Sequence, residues 1–317
     1  MRIGIPCQIV EEYEKRNGTK DIRSIKGALI GKMQVAQWFK YKEQGIHEEK
    51  LMEKLQQNLD ALIFQLEVVA KFPITARMLR ISSELLPLRD FPDVMPTYEK
   101  ANFKSVVNKA LNKAGDIIKE NNIRVSVHPS QWITLFSEND ETVDKAEAHI
   151  KIWIEMFRTM GLGPTEHGVC IVLHTNGQRK EMRYYDTAFK RWLAFENDEK
   201  QAGFVKTLKV CQKEGIRMVV DVHHYYCENK MHFSLNSDEM YAVLATWNGK
   251  GRAKMHWSSS RGTKNFRELC SHADYISEED MERWWEFGYQ FDIMIEAKHK
   301  NLASHLVHDY VTKQMGI

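Results

Sequence analysis

Several features that would assign this chain to a common protein class are missing from its 317 residues. No run of eighteen apolar residues occurs, so the sequence predicts no membrane-spanning helix. The opening residues, MRIGIPC, lack the long apolar stretch of a secretory signal peptide and instead have the pattern of a β-strand. The formal net charge is only +2, which neither requires nor excludes a nucleic-acid partner.

The cysteine content excludes the usual disulfide and CxxC metal-binding frameworks. The five cysteines are odd in number and none forms a CxxC pair. Several lie in apolar strand-like runs, where cysteine behaves as a small hydrophobic residue. We therefore expect a reduced, cytoplasmic protein without disulfides. The five residues are Cys7, Cys170, Cys211, Cys227 and Cys270.

The order of predicted elements favours a single α/β barrel. No Ser/Gly linker, repeat or low-complexity tract divides the chain, and strand patterns alternate with helical patterns throughout. Apolar residues make up 43% of the sequence, enough for a large core. We predict one (β/α)8 TIM-barrel domain over residues 1–317, monomeric in solution. The predicted strands are residues 2–7, 77–82, 123–128, 168–174, 193–196, 217–222, 253–256 and 291–296.

Helical patterns occupy the intervals between these strands. Leucines at i, i+3 and i+4 spacing form an apolar stripe in the first helix, and Gly215 has the position of a C-cap before the sixth strand. The segment Glu11–His47 interrupts the alternation and is longer than a usual βα connection. We predict a loop with some helix there, near the active face. The predicted helices include Glu49–Lys71, Tyr98–Asn121, Val143–Met160, Glu199–Glu214 and Asp238–Thr246.

Six short apolar runs each end on a residue that can bind a metal ion. A parallel strand buried on both faces has this pattern: a few apolar residues, then an abrupt polar one. The carboxyl ends of barrel strands meet at one mouth, so recurrent His, Asp and Glu predict a multinuclear metal site there. Imidazole and carboxylate ligands suit Mn²⁺, Zn²⁺ or Fe²⁺. The endings are IRVSVH at His128, GVCIVLH at His174, LAFE at Glu196, MVVDVHH at Asp221 and His224, AKMH at His256, and FDIMIE at Glu296.

Each of these residues also has an explanation that involves no metal. A single histidine at the end of a strand is more often structural than a ligand. Glu196 could cap the helix that follows it, His272 could lie beside a helix N-cap, and His223 could belong to the core. The joint interpretation is favoured because the endings recur at the same structural position.

Two spacings suggest how the ligands are arranged. Asp221 ends a strand and should point into the mouth, while His224 in the following loop could reach a second ion. Lys254 and His256 share one face of a strand by its period of two. A lysine beside cations would be repelled unless it were neutral or converted by CO₂ to an anionic carbamate.

The predicted mouth loops contain residues suited to nucleic acid. Gln131 and Trp132 lie three and four residues after His128, and stacking of a base on an aromatic ring contributes roughly 1–3 kcal/mol. The alternative is that Trp132 packs on the rim of the barrel. Basic and hydroxyl side chains on these loops could bind phosphates. They are Ser258, Ser259, Ser260, Arg261, Lys264, Lys298 and Lys300.

The order of these motifs, which span nearly the entire chain, resembles that of the UV damage endonuclease family. Members of this family are TIM barrels similar to xylose isomerase. The matching pieces are MRIGIPCQ, LRISSELLP, VSVHPSQW, VLHTNG, FENDE, VVDVHH, KMHWSS, HADYI and DIMIEAKHK. The resemblance implies a hydrolase that cuts damaged double-stranded DNA 5′ to cyclobutane pyrimidine dimers and 6-4 products. It also implies two or three divalent ions, usually Mn²⁺, with Zn²⁺ as the alternative.

The resemblance also implies roles for individual residues. Glu196, Lys254 and His256 would be catalytic, with Lys254 matching a lysine that can be carboxylated. Gln131 and Trp132 match the pair that probes the lesion, although the second residue is usually Tyr. Independently of the resemblance, we predict that Ser258 and Arg261 on the mouth loops contact substrate. The implied metal ligands are His128, His174, Glu196, Asp221, His224, His256, His272 and Glu296.

The chain departs from the family pattern at three positions, and other activities remain open. Ile5 replaces a Tyr, Ile9 stands where an Asn is expected, and Phe91 replaces a His. The rival functions are an apurinic-site endonuclease with three zinc ions, a sugar isomerase or epimerase with one metal ion, and a DNA-damage binder without catalysis.

Overall fold

A closed barrel of eight parallel strands forms the centre of the molecule. The computed structural model describes all 317 residues, and neighbouring barrel strands follow the order β1-β10-β9-β8-β7-β6-β5-β4. The predicted TIM barrel is therefore confirmed. The barrel strands are β1 (Ile3–Pro6), β4 (Met78–Ile81), β5 (Arg124–Val127), β6 (Cys170–His174), β7 (Leu193–Glu196), β8 (Arg217–Asp221), β9 (Ala253–Trp257) and β10 (Phe291–Ile295).

Helices lie between the strands and cover the outside of the barrel. The longest, α2, buries the leucines of its predicted apolar stripe. Gly215 ends α7 in the left-handed conformation, as a C-cap glycine does. The helices are α1 (Val35–Glu43), α2 (His47–Val69), α3 (Met95–Tyr98), α4 (Ala101–Glu120), α5 (Asp140–Thr159), α6 (Thr187–Lys190), α7 (Phe204–Glu214), α8 (Val222–Asn229), α9 (Asp238–Ala245), α10 (Phe266–Leu269), α11 (Glu278–Trp284) and α12 (Lys300–Met315), with 3₁₀ turns at Ile74–Ala76 and Trp285–Tyr289.

The segment after β1 contains more strand than the sequence indicated. Strands β2 (Val10–Glu14) and β3 (Lys20–Ser24) form an antiparallel hairpin separate from the barrel, and α1 follows it. The prediction of a loop with some helix was therefore incomplete. The hairpin was missed because its side chains are mostly charged and only half-buried, so the apolar alternation of an ordinary strand is absent.

Two predicted helix bounds were also wrong. Helix α7 begins at Phe204 rather than Glu199, because Asp198 Oδ1 accepts hydrogen bonds from the backbone N–H groups of Lys200 and Gln201 and forms a turn. The interval from Tyr98 to Asn121 is interrupted at Lys100, whose extended backbone separates α3 from α4.

One contiguous hydrophobic core runs through the molecule, from Ile3 in the first barrel strand to Val311 in the last helix. All five cysteines are unpaired. No helix combines the length and the apolar character that crossing a bilayer requires.

Candidate metal centre

The parallel register of the barrel places the strand-end residues side by side. His174 at the end of β6 is the direct partner of Glu196 at the end of β7. Asp221 at the end of β8 is the partner of His256 on β9. The C-terminal mouth therefore collects residues that are far apart in the sequence. Two further strand endings follow β5 and β10 directly: His128 and Glu296.

Three overlapping groups of side chains have the geometry of metal-binding sites. Within each group, one ligand atom per residue lies within 4.8 Å of the others. Glu196, Asp221 and His256 each belong to two of the groups, and a carboxylate with two oxygens, such as that of Glu196, could contribute to two sites if ions were bound. The groups are His128–Glu196–His256, Glu196–Asp221–His224 and Asp221–His256–Glu296.

Buried atoms without hydrogen-bond partners show that this cluster fits a cation. The oxygen Glu196 Oε2 lies 2.6 Å from His128 Nε2, but the contact does not have hydrogen-bond geometry. An unpartnered buried polar atom destabilises a protein by about 1–3 kcal/mol. A divalent ion would satisfy several of these atoms at once, and their types are those of an Mn²⁺ or Zn²⁺ site. The unpartnered atoms are Glu196 Oε2, Asp221 Oδ2, His256 Nε2 and His174 Nδ1.

Hydrogen bonds to backbone carbonyls orient two of the histidines. The Nδ1 atom of His224 lies 2.9 Å from the carbonyl oxygen of Asn197, and the Nδ1 atom of His128 lies 3.1 Å from that of Pro129. With Nδ1–H donating to these carbonyls, Nε2 is the atom of each ring that would bind a metal. Ligand histidines in proteins are oriented in this way. Against the effect of burial, Asp221, Glu196 and Glu199 raise the pKa of His224 to about 10, so a metal would have to displace the proton on its Nε2.

Three carboxylates are buried together at the mouth, and their pKa values are strongly perturbed. Burial raises the pKa of Asp221 to about 7, and the neighbouring charges of Glu196 and Glu296 add to the effect. Burial also opposes ionisation of Glu196, but His256 and His128 outweigh it and hold the pKa of Glu196 well below its usual value. Such crowding of anionic groups is relieved by bound cations.

His174 and His272 converge on the mouth but lie outside the three groups. His174 Nε2 is 3.9 Å from Glu196 Oε2, and burial lowers the pKa of His174 to about 4, so the ring is neutral as a ligand must be. His272 Nδ1 is 4.0 Å from Glu296 Oε2. The structure therefore brings all eight predicted ligands to one end of the barrel, six of them within the groups.

The predicted position of His224 in a loop was wrong. Asp221 is the N-cap of α8, and its Oδ1 accepts hydrogen bonds from the backbone N–H groups of His223 and His224 at 2.7 and 2.8 Å. One oxygen of Asp221 thus fixes the start of the helix while the other has no partner. The helix holds His224 more rigidly than a loop would.

Lys254 lies in the barrel interior and is fully buried. Its Nζ donates a hydrogen bond of 2.6 Å to Ser126 Oγ. Burial lowers the pKa of Lys254 to about 8, so an uncharged amine is accessible near neutral pH.

The predicted substrate residues differ in their exposure. Trp132 is 73% exposed, so little of its indole packs on the rim, and it lines a cavity of about 210 Å³ between the loops after β4 and β5. Gln131 and Arg261 are also exposed. Ser258 is buried and its Oγ has no hydrogen-bond partner, so it lies outside the solvent-facing surface.

Two residues of the centre were not predicted from the sequence. Arg80 on β4 forms a buried ion pair with Glu296, and its Nε lies 3.4 Å from Cys7 Sγ. The sequence offered one signal for Arg80, which is a charged residue inside the otherwise apolar strand LRIS. Glu199 Oε2 lies 3.6 Å from His224 Nε2 with its side chain almost fully buried, although the sequence predicted Glu199 only as the first residue of a helix.

The three family-divergent positions are part of the hydrophobic framework. Ile5 and Ile9 are buried. Phe91 packs edge-on against Phe39 with ring centroids 6.1 Å apart. None of the three offers a polar contact to DNA or to a metal ion.

Comparison with known proteins places the chain among UV endonucleases. Residues 19–313 match the model of the family UV-endonuclease UvdE. The UV DNA damage endonuclease of Bacillus cereus is 28% identical over 291 residues, which covers 85% of this chain and 86% of that protein. The protein of the same name from Bacillus mycoides is 29% identical, with 86% of each chain covered. The crystal structure of SacUVDE superposes with a TM-score of 0.76 at 25% identity, over 100% of this chain and 99% of that one.

Proposed function

Because the chain belongs to the UV-endonuclease UvdE family, we propose that it is a metal-dependent DNA repair enzyme that hydrolyses the phosphodiester 5′ to UV photoproducts in duplex DNA. The activity class, an endonuclease for UV-damaged DNA, follows from family membership. The metal requirement, the side of incision and the range of lesions are the proposed parts. The position of Glu196 in two overlapping ligand groups at the barrel mouth supports the metal requirement, and the side of incision and the range of lesions rest on the family resemblance alone.

The three ligand groups would hold two or three divalent ions, Mn²⁺ first and Zn²⁺ as the alternative. His128, Glu196 and His256 form one site, and Asp221 with His224 forms the next, sharing Glu196. When bound, such ions polarise the phosphate and lower the pKa of a bound water. His174 and His272, at the edges of the cluster, are the remaining candidates for ligands.

Residues around the centre would position the ligands and the substrate. Arg80 holds the Glu296 carboxylate through a buried ion pair. Gln131 and Trp132, exposed beside His128, would occupy the space left when a damaged dinucleotide leaves the stack. Damaged bases are unstacked at lower cost than intact ones, which favours incision beside the lesion.

We also propose that Lys254 is carboxylated. Its neutral amine would attack CO₂ to form an N–C bond and release one proton to water, which leaves an anionic carbamate. The fully buried position and the lowered pKa support this chemistry. A ¹³C-carbamate resonance after incubation with ¹³C-bicarbonate, absent from Lys254→Met, is the expected observation.

Nicking of UV-irradiated supercoiled plasmid in Mn²⁺ tests the function. We expect the wild-type protein to nick irradiated but not untreated plasmid, and Glu196→Gln to lose at least about a hundredfold of this rate, because both ligand groups lose an anionic ligand. Glu282→Gln, an exposed change on α11, is the control and should retain full activity. Wild-type rates in Glu196→Gln would contradict the mechanism.

The rival activities are separated by two further measurements. Incision of an abasic duplex in preference to an irradiated one would favour the apurinic-site endonuclease. Elemental analysis that finds one ion per chain would favour the isomerase or epimerase, whereas binding without any incision would favour the inactive damage binder.

We further propose that residues 1–317 form one domain, because the buried core is contiguous from Ile3 to Val311. The monomeric state stays a prediction.

A further inference from the structure

A basic segment lies between the hairpin and α2, where Glu43 is the single acidic residue among residues 25–46. Residues 25–42, named here the basic strap, contain four lysines and no Asp or Glu. All four lysines are exposed, and none forms an ion pair with a carboxylate, whereas the nearby Lys50 pairs with Glu53 at 2.9 Å. With Glu43 counted, the four lysines give residues 25–46 a net charge of +3. The four residues are Lys26, Lys32, Lys40 and Lys42.

Two buried amide side chains on α2 hold the strap in one conformation. Gln65 Nε2 donates a 2.6 Å hydrogen bond to the carbonyl oxygen of Ala28. Asn58 binds Gly31 through both of its polar atoms, each at 2.9 Å. Both amides are almost completely buried. The lysines thus extend from a fixed backbone, and less conformational entropy is lost when a ligand binds.

The same two amides place the strap at the catalytic end of the barrel. Gln65 Nε2 also donates to the carbonyl oxygen of Cys7, just after β1, and Asn58 Nδ2 donates to that of Glu84, just after β4. Both acceptors follow the C-terminal ends of their strands, at the mouth that holds the metal centre. The strap is therefore on the same face as the predicted metal ligands.

A continuous surface connects the strap to the exposed tryptophan. Phe39 of the strap packs against Phe91 in the loop after β4. The adjacent Asp90 lines the same cavity as Trp132. Between the lysines the strap also exposes the apolar side chains of Leu29 and Val35. One face of the mouth thus joins the basic strap to the exposed Trp132, which follows His128 by four residues.

We infer that the basic strap binds the phosphate backbone of the duplex that flanks the lesion. This rests on the proposed function, because DNA must lie across the mouth to reach the metal centre. Lysines that neutralise phosphates release counterions, and this sequence-independent term dominates the affinity of proteins for intact duplex. An anionic membrane surface has similar charge, but contiguity with Trp132 and the metal centre favours DNA.

The test measures binding without catalysis. Fluorescence anisotropy of a short undamaged duplex, in chelator and over a series of salt concentrations, compares the wild-type protein with the quadruple variant K26Q/K32Q/K40Q/K42Q. The control K71Q/K109Q/K209Q/K313Q removes four exposed, unpaired lysines from the outer helices and the opposite end of the barrel. Both variants change the net charge equally, and thermal melting verifies that both are folded.

We expect the strap variant to lose at least about tenfold in affinity for the duplex at low salt. The slope of log affinity against log salt concentration should become shallower by about 2–4, because each phosphate contact contributes about 0.9 to it. The control should stay within about twofold of wild type. Equal affinities and slopes for the two variants would overturn the inference. Loss of binding to anionic vesicles but not to DNA would overturn it as well.

The nicking assay separates this inference from the proposed function. If wild-type protein nicks irradiated plasmid while the strap variant binds duplex as the control does, the inference fails and the function stands. If the strap variant loses duplex binding while wild type nicks nothing, the strap is a DNA-binding surface on a protein without the proposed activity.

Discussion

The two ends of the barrel bury charged groups in opposite ways. At the N-terminal end, here called the floor, Arg124 and Asp292 form an ion pair of 2.7 Å. Arg124 also donates to the carbonyl oxygens of Gly168 and Arg252, while Asp292 accepts from the backbone N–H of Arg2 and from the Arg252 side chain. At the mouth, by contrast, Glu196, Asp221 and His256 each keep a buried atom without a partner.

This difference separates a structural use of buried charge from a functional one. A buried pair with every hydrogen bond made is tolerated at little net cost, and removing one partner is destructive. A cluster in which some polar atoms lack hydrogen-bond partners destabilises the fold, but those atoms can bind a ligand. Binding sites commonly combine lower stability with function in this way. We therefore expect changes at the floor to alter stability alone, and changes at the mouth to alter function without loss of stability.

The largest expected effect on stability is at the floor. Asp292→Ala would leave the guanidinium groups of Arg124 and Arg252 without their carboxylate. We expect the free energy of unfolding to fall by about 3–5 kcal/mol, measured by urea denaturation. Nicking activity per folded molecule should be unchanged, because the site is at the opposite end of the barrel.

An exposed aspartate provides the matched control for this change. Asp309 on α12 has a side chain that is 81% exposed, and Asp309→Ala should change the unfolding free energy by no more than about 0.5 kcal/mol. If Asp292→Ala lowers stability as little as the control, the contrast between the two ends is wrong.

A smaller effect of opposite sign is expected at the mouth. Asp221→Asn keeps the side-chain oxygen that caps α8 but removes one of three crowded charges. In chelator at about pH 8, we expect the variant to be more stable than wild type by at least about 1 kcal/mol, since one pKa unit corresponds to 1.36 kcal/mol. Asp198→Asn, a buried turn aspartate outside the ligand groups, is the control and should bring no gain.

The pH dependence of this gain gives a sharper test. The pKa of Asp221 is about 7 in the folded protein and about 3.9 in an unfolded chain. Between about pH 3.9 and pH 7, the folded state therefore binds a proton at Asp221 that the unfolded state does not. As the pH rises through this range, the free energy of unfolding of the wild-type protein falls. The advantage of Asp221→Asn should therefore shrink as the pH is lowered to about 4. A gain that is independent of pH would show that charge crowding is not its cause.

Sequence alone predicted the mouth better than the floor, for a physical reason. Most of the predicted mouth ligands end an apolar run, although His224 and His272 do not, so their positions along the strands are visible without coordinates. The strand register then brings residues such as His174 and Glu196 together. At the floor, Arg124 and Asp292 belong to strands far apart in sequence, and their pairing depends on barrel closure. The hairpin β2–β3 was missed because its pairing involves charged side chains such as Glu11 and Arg23.

The unpredicted members of the site follow the same rule. Arg80 lies within a strand rather than at its end, and only the three-dimensional structure places it against Glu296. The helix after Asp221 could have been predicted from its N-cap type, but VHHYYCEN has no apolar periodicity to indicate eight helical residues. Local patterns thus predicted which strand-end residues the barrel brings together at the mouth, whereas contacts made from other positions required the fold.

The smallest expected effect on stability comes from the exposed rim of the mouth. Trp132→Ala removes a side chain that is 73% exposed, so the free energy of unfolding should change by no more than about 0.5 kcal/mol. Affinity for an irradiated duplex should nevertheless fall by about 1–3 kcal/mol, or about 5- to 150-fold, because one stacking partner is lost. Anisotropy on irradiated and untreated duplexes measures this, with Tyr289→Ala, an exposed aromatic near the floor, as the control. An equal loss on both duplexes would assign Trp132 to general DNA binding, and no loss on either would show that Trp132 takes no part in recognition.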